Sequence, residues 1–250
     1  MLQDYRKEKF DIIIQGGQSN SEGCGIGPVE SPYQPRPEIL MMENDFKISM
    51  LCEKEWENNK VGNFVQTFSE DYIKNTRLEE KRKLLVLMAA VGGTGFCDNR
   101  WGMNDDLYLK MIEMIKTAIA LNPANRTVAF LWHQGETDTA NPVRETHYNN
   151  LTSLAKSVRQ ISANEKLPFI AGDFVQHWKQ KNIDVCTPIV TAVKDICKEI
   201  GNAAFVESDS LTSNDEVLGN GDDIHFSREA LYELGHRYYD AYSTITGSKK

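Results

Sequence analysis

The chain has 250 residues, and its 28 Lys and Arg against 36 Asp and Glu give a formal net charge of −8 at pH 7. A chain of this length buries about 70–75% of the surface that it exposes when unfolded, so its core needs no disulfide or metal. The negative charge argues against nucleic acid and against an anionic membrane as partners, because both bind basic surfaces.

The cysteine content and the N-terminus bear on the compartment. The five cysteines include no C-x-x-C pair, which favours free thiols over a disulfide framework or a zinc site. The first nine residues include acidic side chains, and no apolar segment typical of a signal peptide follows them. We therefore expect a cytoplasmic protein that requires neither a cofactor nor a metal.

Short apolar runs alternate with stretches of helical periodicity along the chain, which is typical of a parallel sheet covered by helices. The first predicted strand, residues 10–15, precedes a proline-rich segment whose apolar runs, residues 39–42 and 48–52, predict a hairpin excursion. The later predicted strands are residues 84–91, 127–132, 169–172 and 203–207, and the predicted helices are centred on residues 64–72, 108–119, 148–161, 189–200 and the segment after Ser227. We interpret residues 1–250 as a single α/β domain.

The loop after the first strand has the composition of a nucleophile turn. Ligands of open parallel sheets bind beyond the carboxyl ends of the strands, so the loops at those ends are the candidate site. Here Gly16 and Gly17 permit a tight turn, and Ser19 follows almost at once. An ordinary glycine turn with a capping serine is the alternative. A phosphate-binding loop is disfavoured, because the spacing of its glycines and lysine is absent.

Two further loops offer polar groups at the same edge. Residues 92–95, Gly-Gly-Thr-Gly, follow the second parallel strand, and their backbone N–H groups are suited to hold a ligand or simply to form a turn. Residues 133–138 place five polar side chains directly after an apolar strand. Such groups must be hydrogen-bonded or take part in chemistry, because burying them unpaired is costly.

The last loop contains an Asp-x-x-His pair. Asp222 lies three residues before His225, close enough for its carboxylate to accept a hydrogen bond from imidazole Nδ1–H and leave Nε2 free as a base. A metal site is disfavoured, because one carboxylate and one imidazole are too few ligands. A nucleophile, amide donors and an oriented histidine at one sheet edge are the parts of an acyl-transfer site.

These residues resemble the four sequence blocks of the SGNH hydrolase superfamily, and more narrowly its sialate O-acetylesterase and acetyl xylan esterase branch, the carbohydrate esterases of family six. The resemblance extends from Ile12 to about Leu234. The matching blocks, in order, are Gly17-Gln18-Ser19-Asn20, Gly92-Gly93-Thr94, Trp132-His133-Gln134-Gly135-Glu136-x-Asp138 and Asp222-x-x-His225.

The resemblance implies a three-layer α/β/α sandwich with a flavodoxin-like, five-stranded parallel sheet, and a serine esterase. Carried over by position, Ser19 is the nucleophile, His225 the general base and Asp222 its orienting carboxylate. The backbone N–H groups of Ser19 and Gly93 and the side-chain amide of Gln134 form the oxyanion hole. The wider superfamily usually has asparagine where Gln134 stands, whereas the carbohydrate-esterase branch has glutamine.

Four more residues are candidates for supporting roles. We expect Asn20 to hold the serine loop, and Glu136 to be either a second partner of His225 or a structural anchor. Trp101 is suited to stack on a sugar, with core packing as an equal alternative. Arg100 is suited to contact a substrate carboxylate.

The expected function is removal of O-linked acetyl groups from carbohydrate through an acetyl-enzyme, with an acetylated mono- or oligosaccharide as the partner. Two alternatives stay open: an SGNH acyl hydrolase acting on short-chain lipids or thioesters, and a non-catalytic carbohydrate-binding relative. The net charge of −8 favours a neutral sugar over anionic sialic acid, unless Arg100 or another cation lies at the pocket. The oligomeric state cannot be predicted from this sequence.

Overall fold

The structure is a computed structural model that describes residues 4–56, 58–76, 78 and 81–247. Its strands are β1 Lys9–Gly17, β2 Ile39–Met42, β3 Ile48–Met50, β4 Lys54–Trp56, β5 Asn59–Val61, β6 Arg82–Met88, β7 Arg126–His133, β8 Phe169–Gly172 and β9 Ala203–Val206. Its α-helices are α1 Ser19–Glu22, α2 Phe64–Thr76, α3 Asp106–Ala120, α4 Arg144–Ile161, α5 Gln176–Lys181, α6 Ile183–Glu199, α7 Asn214–Leu218 and α8 Arg228–Thr246.

The central sheet has the strand order β3-β2-β6-β1-β7-β8-β9. Five neighbouring strands in this order are the predicted ones, namely β6, β1, β7, β8 and β9. They pair in parallel and follow the flavodoxin-like order. The sheet nevertheless has seven strands instead of five. The predicted hairpin excursion becomes β2 and β3, and β2 extends the sheet by pairing in parallel with β6. The apolar pattern of the sequence identified this hairpin. It did not identify β6 as the partner strand of β2, because strand pairing is a long-range contact.

Helices cover both faces of the sheet, which confirms the predicted α/β/α sandwich. The helices α3, α4 and α6 pack on the face that carries Ile12 and Ile14. The helices α2 and α8 pack on the opposite face, which carries Ile13. Because both faces are buried, the central strands are apolar at consecutive positions rather than alternating.

Two helix ends carry the residue types that commonly end helices. The side chain of Ser227 accepts a hydrogen bond from the backbone N–H of Ala230 and caps α8. Gly201 follows the end of α6 with φ of 63°, a conformation that favours glycine. The cap at Ser227 matters for the site, since it fixes where α8 begins, three residues after His225.

Strand register brings the candidate loops to one edge of the sheet. Gly17 at the end of β1 lies opposite His133 at the end of β7, and Gln15 lies opposite Met88 at the end of β6. The three parallel strands therefore end together, and the loops that follow them share a surface. The fourth loop, residues 219–227, reaches the same surface through an antiparallel bridge between Ser213 and Phe226.

Candidate active site

Ser19, His225 and Asp222 form a continuous hydrogen-bonded row. The Oγ of Ser19 lies 2.8 Å from Nε2 of His225. On the other side of the ring, Nδ1 lies 2.8 and 3.0 Å from the two carboxylate oxygens of Asp222. The proton on Nδ1 is therefore donated to Asp222, and Nε2 accepts from the Ser19 hydroxyl. This is the geometry of a nucleophile, a base and an orienting carboxylate.

Asp222 has a second hydrogen-bond donor that the sequence did not indicate. Nδ2 of Asn214 lies 2.8 Å from Oδ2 of Asp222, and Oδ1 of Asn214 accepts from the N–H of Ile26 at 3.0 Å. Burial alone raises the pKa of Asp222, but the hydrogen bonds from His225 and Asn214 outweigh it and hold that pKa below its ordinary value. The carboxylate thus stays ionised beside the imidazole.

The end of β1 is shaped to present Ser19. Gly17 has φ of 128°, and a side chain there would collide with the backbone carbonyl of His133. The next residue, Gln18, donates its N–H to the same carbonyl at 3.0 Å, while its side-chain oxygen accepts from the N–H of Thr137 at 3.1 Å. The turn is thereby tied both to the end of β7 and to the segment that follows β7, and α1 begins with Ser19 at a fixed place.

Two backbone N–H groups lie beside the nucleophile without competing acceptors. The N–H of Ser19 opens α1 and so has no acceptor within its own helix. The Gly92–Gly93 turn passes close to Ser19, since a Cβ on Gly92 would lie 3.6 Å from the Cβ of Ser19. The N–H of Gly92 donates to Glu22 at 2.7 Å, whereas that of Gly93 has no acceptor among the described residues. Gly93 has φ of 68°, and a Cβ built on it would have no neighbouring atom within 4 Å.

Gln134, the third predicted oxyanion donor, is buried at the same place, but its amide nitrogen faces three acceptors. These are the carbonyl of Thr94 at 3.3 Å, the carboxylate of Asp138 at 3.2 Å and the side chain of Gln18 at 3.4 Å. All three contacts are at or beyond the long end of the hydrogen-bond range, and two hydrogens cannot satisfy three acceptors. The amide is thus held loosely enough to turn one N–H toward a substrate oxygen.

Asn20 clamps the backbone on both sides of His225. Its Nδ2 donates to the carbonyl of Ile224 at 3.1 Å, and its Oδ1 accepts from the N–H of Phe226 at 3.1 Å. The same Nδ2 lies 2.8 Å from a carboxylate oxygen of Glu136. No hydrogen bond or ion pair joins Glu136 to His225, so Glu136 contacts the histidine loop through Asn20. Burial raises the pKa of Glu136 above its ordinary value.

The structure contradicts the sugar-stacking role of Trp101. This side chain is fully buried and packs edge-on against Trp132, with ring centroids 5.1 Å apart. Its indole N–H donates to the hydroxyl of Thr94 at 2.9 Å, so it supports the Gly93 turn from beneath. Arg100 is partly exposed and donates to both carboxylate oxygens of Asp106, at 2.8 and 3.0 Å, rather than facing Ser19.

At neutral pH, His133 is a weak base and two cysteines near the loops are poor nucleophiles. Nδ1 of His133 lies 3.0 Å from the hydroxyl of Tyr238, which itself donates to a carbonyl, so His133 is the donor. Burial lowers the pKa of His133 to about 3. Burial likewise raises the pKa of the Cys24 and Cys97 thiols, to about 12 and about 11, which leaves them protonated and unreactive at neutral pH.

Comparisons with known proteins agree with this fold and identify a family. A curated protein of Escherichia coli K12, described as a probable 9-O-acetyl-N-acetylneuraminic acid deacetylase, is 26% identical over 89 residues. That match spans 32% of this chain and only 27% of the relative's length. Residues 9–244 match the family model described as carbohydrate esterase, sialic acid-specific acetylesterase.

Three solved structures share the fold at low sequence identity. The crystal structure of NanS has a TM-score of 0.80 at 17% identity and covers 97% of this chain and 99% of its own. A protein from Arabidopsis thaliana has a TM-score of 0.71 at 20% identity, covering 94% and 98%. A carbohydrate acetylesterase from Xanthomonas citri has a TM-score of 0.63 at 12% identity, covering 96% and 57%. The match to the family model over residues 9–244 shows that the chain belongs to the sialic acid-specific acetylesterase family of carbohydrate esterases.

Proposed function

We propose that the protein is a serine esterase that removes O-linked acetyl groups from a carbohydrate, with acetylated sialic acid as its substrate class. The observation that carries this proposal is the 2.8 Å contact between Ser19 Oγ and His225 Nε2, in a ring already oriented by Asp222. The family match and the description of the Escherichia coli relative support the choice of sugar.

The first half-reaction transfers the acetyl group to the protein. Ser19 Oγ attacks the ester carbonyl while His225 Nε2 takes the hydroxyl proton, and the ionised Asp222 stabilises the resulting imidazolium. The carbonyl oxygen becomes an oxyanion, to which the N–H groups of Ser19 and Gly93 and the amide of Gln134 donate hydrogen bonds. The intermediate collapses as His225 returns the proton to the sugar oxygen, and the deacetylated sugar leaves.

The second half-reaction restores the serine. His225 removes a proton from water, and the resulting oxygen nucleophile attacks the acetyl-Ser19 carbonyl. The same donors stabilise the second oxyanion, and collapse releases acetate as His225 gives the proton back to Ser19 Oγ. No cofactor or metal takes part in this scheme.

We also propose that this chemistry takes place in the cytoplasm. All five cysteines are free thiols, as is usual in a reducing compartment. Among residues 4–56, 58–76, 78 and 81–247, no helix combines the length and apolar character needed to cross a bilayer. In that compartment an imported acetylated sugar is a more accessible substrate than polymeric xylan.

Acetate release from O-acetylated sialic acid tests the proposal. We expect the wild-type protein to release acetate and Ser19→Ala to lose at least about 10³-fold in kcat while keeping its thermal unfolding transition. Ser49→Ala, which alters an exposed serine on β3, is the matched control and should be fully active. Equal rates for wild type and Ser19→Ala would contradict the proposal.

The same assay separates the alternatives. Rates on acyl esters of increasing chain length should fall sharply beyond acetyl, whereas a lipid or thioester hydrolase would retain activity on longer chains. Binding of acetylated sugar without acetate release would instead indicate a carbohydrate-binding relative.

A further inference from the structure

A cavity of about 220 Å³ lies between the end of α1 and the β4–β5 hairpin. Its walls include Glu22 and Cys24 on the α1 side, and Lys54, Glu55 and Trp56 on the hairpin side. The hydrolysis scheme uses none of these residues. The cavity is a candidate place for the part of the substrate that does not react.

The α1 side of the cavity is joined directly to the reacting groups. Glu22 accepts the N–H of Gly92, the residue before the oxyanion donor Gly93, at 2.7 Å. The carbonyl of Cys24 accepts from Nδ2 of Asn214 at 3.0 Å, and that same nitrogen donates to Asp222. A ligand in the cavity therefore lies next to both the oxyanion turn and the orienting carboxylate.

The hairpin is anchored at both of its ends, so it holds a defined position beside the site. After β5, the N–H of Gly62 donates to the carbonyl of Gly25 at 2.8 Å. Before β4, Glu53 accepts two hydrogen bonds from the guanidinium of Arg228, at 2.6 and 2.7 Å. This pair is largely buried, and Arg228 is the first residue of α8. The anchor thus lies three residues from His225.

Trp56 presents its ring to solvent at the wall of this cavity. It is 56% exposed, the most exposed of the large apolar side chains in the described part of the chain. Exposure of an indole is unfavourable in water, and the cost is recovered when an apolar surface covers it. The C–H face of a sugar ring is such a surface, and its hydroxyls can stay solvated at the edges.

Lys54 supplies a positive charge at the hairpin end of the cavity. Its ammonium lies 3.2 Å from Glu43 in a pair whose side chains are both more than 40% exposed, and such surface pairs are weak and exchangeable. The cavity's two carboxylates also have partners, since Glu55 lies 2.6 Å from Lys60 in a second exposed pair and Glu22 accepts the Gly92 N–H. The ammonium is therefore the charge available to an anionic group of the ligand.

We propose that the β4–β5 hairpin is the sugar-binding subsite of this esterase, in which Trp56 stacks on the sugar ring and Lys54 binds the sugar carboxylate. The inference rests on the proposed function for its substrate class. It also supplies the cation that the net charge of −8 made necessary for an acidic sugar, since Lys54 lines this cavity and Arg100 does not.

The test compares three substrates in wild type, Trp56→Ala and Lys54→Met: O-acetylated sialic acid, its carboxyl methyl ester, and p-nitrophenyl acetate. Trp56→Ala should raise KM about tenfold or more for both sugars. Lys54→Met should raise KM by about 10-fold or more for the free acid only, as expected for loss of a charge-assisted hydrogen bond. Both variants should hydrolyse p-nitrophenyl acetate within about twofold of wild type, since the hairpin does not touch the acetyl group.

Matched controls are Met50→Ala and Lys47→Met, which alter an exposed methionine and an exposed lysine on or beside β3, outside the cavity lining. Both should behave as wild type on all three substrates. An unchanged sugar KM in Trp56→Ala, or an equal loss of free acid and methyl ester in Lys54→Met, would overturn the subsite.

Binding to a protein without turnover separates this inference from the proposed function. In a Ser19→Ala background, calorimetry should show the same rise in Kd for O-acetylated sialic acid when Trp56→Ala or Lys54→Met is added. Hydrolysis that is lost in Ser19→Ala, together with an unchanged Kd in the hairpin variants, would overturn the subsite alone. Absence of hydrolysis in the wild type, with Kd raised by the hairpin variants, would overturn the esterase function and leave the subsite standing.

Discussion

The loops around Ser19 and the hairpin that carries Trp56 differ in burial. In the loops, Asn20 and Glu136 are buried and joined by hydrogen bonds that hold the backbone beside His225. On the hairpin, Lys54 and Trp56 lie exposed, and the ion pair between Lys54 and Glu43 is at the surface. Chemistry requires preorganised groups, whereas recognition requires groups that can exchange water for a ligand.

This contrast predicts two classes of variant. Changes in the loops should slow the hydrolysis of every ester, including p-nitrophenyl acetate. Changes in the hairpin should affect sugars alone. A loop variant that spared the small ester, or a hairpin variant that damaged it, would remove the distinction.

The largest loop effect after loss of the nucleophile is expected for Asp222→Asn. Replacing the carboxylate with an amide removes the acceptor that fixes the Nδ1–H form of His225, so Nε2 no longer accepts the Ser19 proton. We expect kcat to fall by about 10³- to 10⁴-fold on sugar and small ester alike, with little change in KM. Steady-state kinetics with both substrates measures this, and a loss below tenfold would rule out Asp222 as the orienter.

A smaller loss is expected for Gln134→Ala. If its amide donates to the oxyanion, kcat should fall by about 10²- to 10³-fold, because the interaction exists only in the transition state. An increase confined to KM would instead show that Gln134 only shapes the pocket. Thermal unfolding of the variant should be recorded beside the kinetics, since Gln134 is buried.

Loss of the Asn20 clamp should lower kcat by a smaller factor, because Asn20 acts on His225 through the backbone. Asn20→Ala is expected to lower kcat by about 10- to 100-fold, corresponding to roughly 1–3 kcal/mol for the lost hydrogen bonds, with KM nearly constant. Glu136→Ala should resemble it. Glu136→Gln should retain most activity, since a side-chain oxygen stays available to the Asn20 amide.

Kinetics of these variants decide between anchoring and direct catalysis by Glu136. If Glu136→Gln were as slow as Glu136→Ala, the ionisable carboxyl group itself would take part in the reaction, and the anchor interpretation would be wrong.

The last and smallest expected effect is on the pH dependence of the free energy of unfolding. It arises from His133, which is buried at the end of β7. Its folded pKa is about 3 against an ordinary value of 6.5, so between these values the unfolded chain binds a proton that the folded chain does not. The contribution of neutral His133 to the free energy of unfolding is therefore complete above pH 6.5. As the pH falls below that value, the free energy of unfolding decreases by at most about 1.4 kcal/mol per pH unit. Urea unfolding between pH 7 and pH 4.5 should show a shallower decline for His133→Gln than for wild type. Parallel declines would contradict the buried, neutral state of His133.

The proximity of Ser19, Asp222 and His225 was predictable because the signals in the sequence are local. Asp222 and His225 are close enough in sequence to form a hydrogen bond, and the glycine turn before Ser19 is a local backbone feature. Each signal lies within a few residues. Asn214 was missed because it reaches Asp222 from the start of a separate short helix, at a spacing that no turn or helix repeat marks.

The sugar contacts were less predictable, because exposure is a property of the whole fold. Trp101 was a reasonable candidate beside the Gly93 turn, yet packing against Trp132 buries it completely. Trp56 lay outside every motif, in a segment predicted only to leave the sheet. Its position beside the site depends on the long-range pair between Glu53 and Arg228, which no local pattern reveals. The same reason explains why the predicted hairpin, β2 and β3, was not foreseen as part of the central sheet.

Covalent labelling tests the central claim most directly, namely that His225 activates Ser19 as the nucleophile. The wild-type protein should react with one equivalent of an organophosphonate fluoride, and peptide mass spectrometry should place the adduct on Ser19. His225→Ala should slow labelling by at least about 10²-fold, since the base no longer takes the serine proton. An adduct on another residue such as Ser21, or no adduct on folded wild-type protein, would contradict the account.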